Sequence, residues 1–112
     1  MTEQEVEDLF YSAAVTEAVA LGYRLGDGAD NDIRVRAQGA ARTVFREPRT
    51  DAERDLDIEH GVRAFRMVVD TMIGLRREAY RNQPAMLQGK IIGEETLRLA
   101  IEKLCPGLFP FC

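Results

Sequence analysis

The side chains best suited to chemistry in this sequence are a single histidine, two cysteines and a run of three arginines at helical spacing. His60 follows Asp57 by three positions, and on a helix such a carboxylate–histidine pair is half of a ferritin-like di-metal site. The other half would need a second pair and two more inward glutamates, and the chain has no second histidine. His60 also falls on the polar side of its segment, so a surface histidine beside Asp57 is expected, with no metal and no catalytic role. Cys105 and Cys112 match neither a CxxC redox motif nor a zinc-ligand set. They read as small apolar residues, with a disulfide across the tail left open as an alternative. A nucleophilic cysteine would need a base nearby, and the lone histidine gives little ground for placing one.

Arg42, Arg46 and Arg49 follow at steps of four and three. If one helix carried all three, they would share a face able to hold a phosphate or carboxylate. Glu47 and the acidic stretch after Thr50 stand ready to neutralise them. The segment GDGADND, residues 26 to 32, is acidic enough to suggest calcium but lacks the alternating ligands, central glycine and terminal glutamate of an EF-hand loop. It reads as a loop of Asx turns with an N-cap at Asn31 or Asp32. Gly89-Lys90 lacks the earlier glycine and the following Ser or Thr of a P-loop. Tyr11, Thr16, Tyr23, Tyr80 and Arg76 are the polar groups that could line a small-molecule site between helices. No cofactor is implied.

The elements that must position these residues are helical. Residues 50 to 82 read as one long helix, opened by a Thr50/Glu53 capping box and stopped by Asn82-Gln83-Pro84. Ile58, Val62, Phe65, Val69, Met72, Arg76 and Ala79 alternate steps of four and three, an a/d seam widened by Gly61, Val68 and Leu75. Asp51, Glu53, Asp55, Asp57 and Glu59 crowd the first third of this helix, and Arg63, Arg66, Arg76, Arg77 and Arg81 dominate the rest. Antiparallel self-pairing would set those charges against each other and place Arg76 near Asp57 and Glu59; a solvated charged face is the plainer alternative. A buried Arg76 needs a partner, for which Glu17, a second subunit or an anionic ligand are candidates.

Around this spine the pattern predicts a first helix over residues 2 to 25 with a Thr2/Glu5 capping box and Gly26 as C-cap. A second helix is predicted over 33 to 46 and a last one over 94 to 104. Residues 85 to 88 read as a turn of helix and Lys90-Ile91-Ile92 as a short extended or turn segment. The tail, CPGLFPFC, is too apolar to hang free, so it either folds back over the bundle or docks into another chain.

Composition sets the frame. At 112 residues, 46% apolar and 30% charged, the chain fits a single globular domain over residues 1–112. A net charge of −4 gives no field that attracts nucleic acid or anionic membrane. The acidic start MTEQEVED and short apolar runs predict neither a secretory signal nor a membrane span, hence a cytoplasmic protein with reduced cysteines. The expectation is an all-α bundle of four main helices around one long central helix. Its expected role is that of a non-enzymatic assembly or protein-interaction module, pairing with itself as a homodimer or with another helical protein. Phe65, Val69, Met72 and Arg76 are the expected contact face, with Leu108, Phe109 and Phe111 as a second contact. The alternative is a regulatory bundle binding a small ligand or metal through Arg76, Asp57 and His60 or through the Arg42, Arg46, Arg49 face.

Overall fold

The structure, a computed structural model, describes residues 1–46, 48–82, 90–108 and 111. It is all-α apart from two short strands: α1 (Glu3–Ala20), β1 (Arg24–Leu25), α2 (Asp27–Val44), α3 (Asp51–Ala79), β2 (Ile91–Ile92) and α4 (Glu94–Leu104). No helix among the described residues is long and apolar enough to cross a membrane. The predicted turn at 85 to 88, and Glu47 in the corner before α3, lie outside the described residues.

Helix starts follow local chemistry. Thr2 and Thr50 each accept the N3 backbone N–H, and Glu5 and Glu53 each accept the threonine N–H in return. The bonds run from 2.9 to 3.3 Å. These contacts hold both glutamates below their usual pKa, through hydrogen bonds from Thr2 and from Thr50. From this cap α3 runs for 29 residues, about 44 Å at 1.5 Å per residue, and accounts for most of the molecule's 50 Å length.

The N-terminal half departs from the sequence expectation. α1 stops at Ala20, not at residue 25, in a Schellman turn. Gly22 takes φ +82°, its N–H donates to the Val19 carbonyl at 3.0 Å, and the Tyr23 N–H donates to the Ala18 carbonyl at 2.8 Å. Gly26 is the N-cap of α2 and not the C-cap of α1. The acidic stretch read as a loop is the first turn of that helix, where Asp27 and Asp30 complement the dipole. The freed residues form β1, which pairs in parallel with β2. Arg24 N–H donates to the Lys90 carbonyl and Gly26 N–H to the Ile92 carbonyl, both at 2.8 Å. Gly93 then caps α4 as Gly26 caps α2, so two strand–glycine–helix units start side by side. The predicted last helix, 94 to 104, coincides with α4.

α3 packs chiefly against α1 and α4, while α2 packs chiefly against α1. The alanine-rich face of α2 (Ala29, Ala37, Ala40, Ala41, with Ile33 and Val44) is buried. On α3 the buried residues are Gly61, Ala64, Phe65, Val68, Val69, Met72 and Ile73. This face is rotated from the expected seam: Ile58, Val62 and Arg76 are half-buried and Ala79 is exposed. Phe10 of α1 sets the rotation. Its ring stacks on Phe65 at 5.3 Å and 13°, and it lies directly over Gly61. A Cβ at position 61 would stand 2.5 Å from one Phe10 ring carbon and closer still to a second.

Gly61→Ala therefore tests the packing. Alanine gains about 1 kcal/mol of helix propensity. The Phe10 ring is fully buried and has nowhere to retreat, so overpacking near the top of the usual range of about 1–3 kcal/mol outweighs that gain. We expect a net loss of about 1–2 kcal/mol in a denaturant titration, partly recovered in the double variant with Phe10→Leu. Thr50→Ala is expected to cost about 1 kcal/mol by loss of the cap.

Candidate interaction surface

The tail folds back. Phe111 is buried, with its ring 4.7 Å from Phe65 at a tilt of 55°, and its N–H donates to the Leu108 carbonyl at 2.8 Å. Phe10, Phe65 and Phe111 thus form one aromatic column. Cys105 is disulfide-bonded, contrary to the expected reduced thiol, and its Sγ lies 3.7 Å from the Phe111 carbonyl oxygen. The chain's other cysteine, Cys112, and the candidate contact Phe109 lie outside the described residues.

Three of the four residues expected on the contact face of α3 are core. Phe65, Val69 and Met72 are 1%, 0% and 0% exposed, so their apolar surface is spent within the chain and is not offered to another. Arg76 is half-buried, with its guanidinium 5.5 Å from the Tyr80 ring. Leu108 is half-buried against the core, and Phe111 serves the core itself. The expected arginine face is also dispersed. α2 ends at Val44, before Arg46, and Arg49 turns the other way to pair with Asp57. Arg42 and Arg46 are exposed. The Arg49 pair takes the carboxylate that the Asp57/His60 metal reading needed. Among the described residues, no group of three or more His, Cys, Asp or Glu is placed to hold a metal ion.

The tyrosines noted in the sequence do not converge on a ligand site. Tyr11 donates its hydroxyl to Asp30, and that bond holds its pKa above the usual value. Arg34 lies 3.7 Å over the Tyr11 ring and reaches Asp8 at 3.1 Å and Glu7 at 3.7 Å. The cluster stitches α1 to α2. The buried Tyr23 accepts from Arg77 Nε at 3.3 Å, Thr16 is exposed, and Tyr80 lies beneath Arg76. Glu17, proposed from the sequence as a partner for Arg76, instead forms a carboxyl pair with Asp70 across α1 and α3. The hydrogen bond with Asp70 raises the Glu17 pKa, and the nearby Arg66 opposes that rise.

Each helix leaves an apolar side chain outward, Val19 on α1, Val35 on α2 and Leu99 on α4 among them, and on α3 two of them lie in one stripe. Leu56, His60, Arg63 and Met67 are spaced by four, three and four, so they lie along one side of the helix. Leu56 is 50% exposed and Met67 39%. His60 and Arg63 are exposed, and Arg63 bonds Glu59 one turn away at 3.4 Å. Beside the stripe runs an open groove of about 200 Å³ lined by His60, Arg63, Ala64, Met67, Gly107 and Leu108. In the sequence the stripe is masked by a wider apolar face, the core, on the opposite side of the same helix.

Two measurements check these assignments. Because the folded-state pKa of Glu17 is raised, the stabilisation from its shared proton is complete below its ordinary 4.5 and is lost as pH rises through the folded value. At neutral pH the pair is repulsive, so Glu17→Gln is expected to raise the melting temperature at pH 7, with a smaller difference from the parent at pH 4. Phe111→Ala removes the end of the aromatic column and is expected to cost about 2 kcal/mol in a denaturant titration. Compared with protein-family models, with curated proteins and with solved structures, the chain matches none of them.

Proposed function

We propose that this protein is a non-enzymatic helical interaction module that works by pairing with a second copy of itself or with another helical protein. The observation that carries this reading is the outward stripe of α3, where Leu56 and Met67 stay exposed beside a groove although the same helix buries seven residues on its other side. Exposed apolar side chains lined up on one helix, between charges of both signs, suit the face of a helix–helix contact. The flanks supply those charges: Glu59 and Asp55 toward the N-terminus, Arg63 and Arg66 toward the C-terminus.

A small-ligand role has less support. Clefts of about 400 Å³ beside Thr71, Glu78 and Lys103 and about 320 Å³ beside Arg24 and Asp27 are open to solvent, whereas ligand pockets bury most of their ligand. The groove beside His60 is smaller, about 200 Å³, and equally open. Its polar lining is limited to two exposed side chains, His60 and Arg63.

Native mass spectrometry, paired with thermal melts, separates the two. The interaction reading expects an oligomer whose fraction rises with protein concentration and a melting temperature that inorganic phosphate or zinc leaves unchanged. A monomer at every concentration, with a melting temperature that rises on adding either ion, would replace it with the ligand-binding reading.

A further inference from the structure

The outward stripe has a register, and the register fits a second copy. With Leu56, His60, Arg63 and Met67 at positions d, a, d and a of a heptad, the residues beside them fall into place. Glu59 and Arg66 occupy the two g positions, while Phe65 and Val68, at f and b, face the protein's own core. Two such helices packed antiparallel place d against a, and g against g. Leu56 then meets Met67 of the second copy, and His60 meets Arg63. Both pairs are symmetric about the midpoint between Gly61 and Val62, so a single two-fold axis serves all four contacts. In this register Glu59 of each copy faces Arg66 of the other, giving two such contacts, both on the g side of the interface and related by the two-fold axis.

From this charge complementarity we infer that the Leu56–Met67 stripe of α3 is the contact through which two copies of this chain pair antiparallel. The inference rests on the interaction reading above and specifies its partner and its surface. The exposed Leu56 and Met67 cover one another, so each apolar side chain left in water on this face is matched. Glu59 also bonds Arg63 of its own chain, but in a solvent-exposed pair that can exchange for Arg66 of the second copy, unlike the partly buried pair of Asp57 with Arg49. The register differs from the one that charge distribution alone suggests, with Arg76 opposite Asp57 and Glu59. Asp57 is held by Arg49 within the chain, and Arg76 is half-buried beside Tyr80.

Charge exchange tests the register directly. Glu59→Arg sets the introduced guanidinium against Arg66 of the other copy at both of these contacts in its homodimer. Arg66→Glu sets the introduced carboxylate against Glu59 of the other copy, again at both contacts. Each variant alone is expected to dimerise roughly tenfold more weakly than the parent in sedimentation equilibrium. In an equimolar mixture of the two, a mixed dimer has opposite charges facing each other at one contact between the two substituted positions and at the other between the native Glu59 and Arg66. Such dimers should form at close to parental affinity. Met67→Glu, which places a charge inside the apolar part of the stripe, should leave a monomer, with circular dichroism reporting that each variant keeps its helices. A parent dimer unmoved by all three substitutions would overturn this surface while leaving the interaction reading intact. A parent that stays monomeric across the dilution series would overturn self-pairing altogether. Weakened single variants whose mixture fails to recover would overturn the antiparallel register.

Discussion

The close approach of Phe10 to the backbone of α3 at Gly61 is the contact on which the arrangement of the helices depends. A ring can lie flat against a helix backbone only where no Cβ stands in the way, and position 61 offers that space. With Phe10 seated there, Phe65 stacks on it from one turn further along, and Phe111 of the tail packs on Phe65 in turn. The column fixes which side of α3 faces inward. By the same geometry it fixes which residues of α3 are left outside, and so the stripe of Leu56, His60, Arg63 and Met67 is a product of core packing. An interior that packs near crystalline density transmits such a choice along the whole helix, because no neighbour can rotate independently.

Polar groups work differently in the two halves of the structure. Between α1 and α2 the Tyr11, Asp30, Arg34 and Asp8 cluster is complementary, each group with a partner of suitable chemistry. Between α1 and α3, Glu17 and Asp70 are two acids held close, moderated by Arg66. The α1–α3 contact is thus secured by apolar packing, with a mild electrostatic penalty at neutral pH. The helices of that pair bury Val6, Phe10, Ala13, Ala14 and Ala18 on one side and the broad face of α3 on the other.

Signals that act within one turn of helix are legible in the sequence. The Thr2/Glu5 and Thr50/Glu53 boxes, and the start and stop of α4, are local, and the structure has them where the residue types indicate. Signals that depend on a distant partner are not legible there. GDGADND resembles a loop because glycine and aspartate are poor helix formers, yet Gly26 caps α2 once β1 is held by β2. The heptad pattern of α3 marks an apolar face but misplaces its centre, because it sets Gly61 at the edge of the seam, and only the Phe10 ring seated over it brings that edge into the middle of the buried face. Arg49 resembles part of an arginine face because sequence spacing carries no sign that the chain turns and delivers it to Asp57. For the same reason the contact face expected from the sequence falls on the core residues Phe65, Val69 and Met72, and the surface left outside carries no comparable signal.

The parallel pairing of β1 with β2 also bears on how the chain reaches this fold. Each helix can begin to form from local contacts alone, within microseconds of its caps and turns being in place. The strand pair cannot, since Arg24 and Ile91 are separated by the whole of α2 and α3 and that interval must first be folded into a loop with its ends together. Only then do Gly26 and Gly93 lie side by side at the starts of α2 and α4. The shortest elements of secondary structure among the described residues are consequently the ones that join positions far apart in the chain, and their pairing carries a loop-closure cost that no helix of the molecule bears.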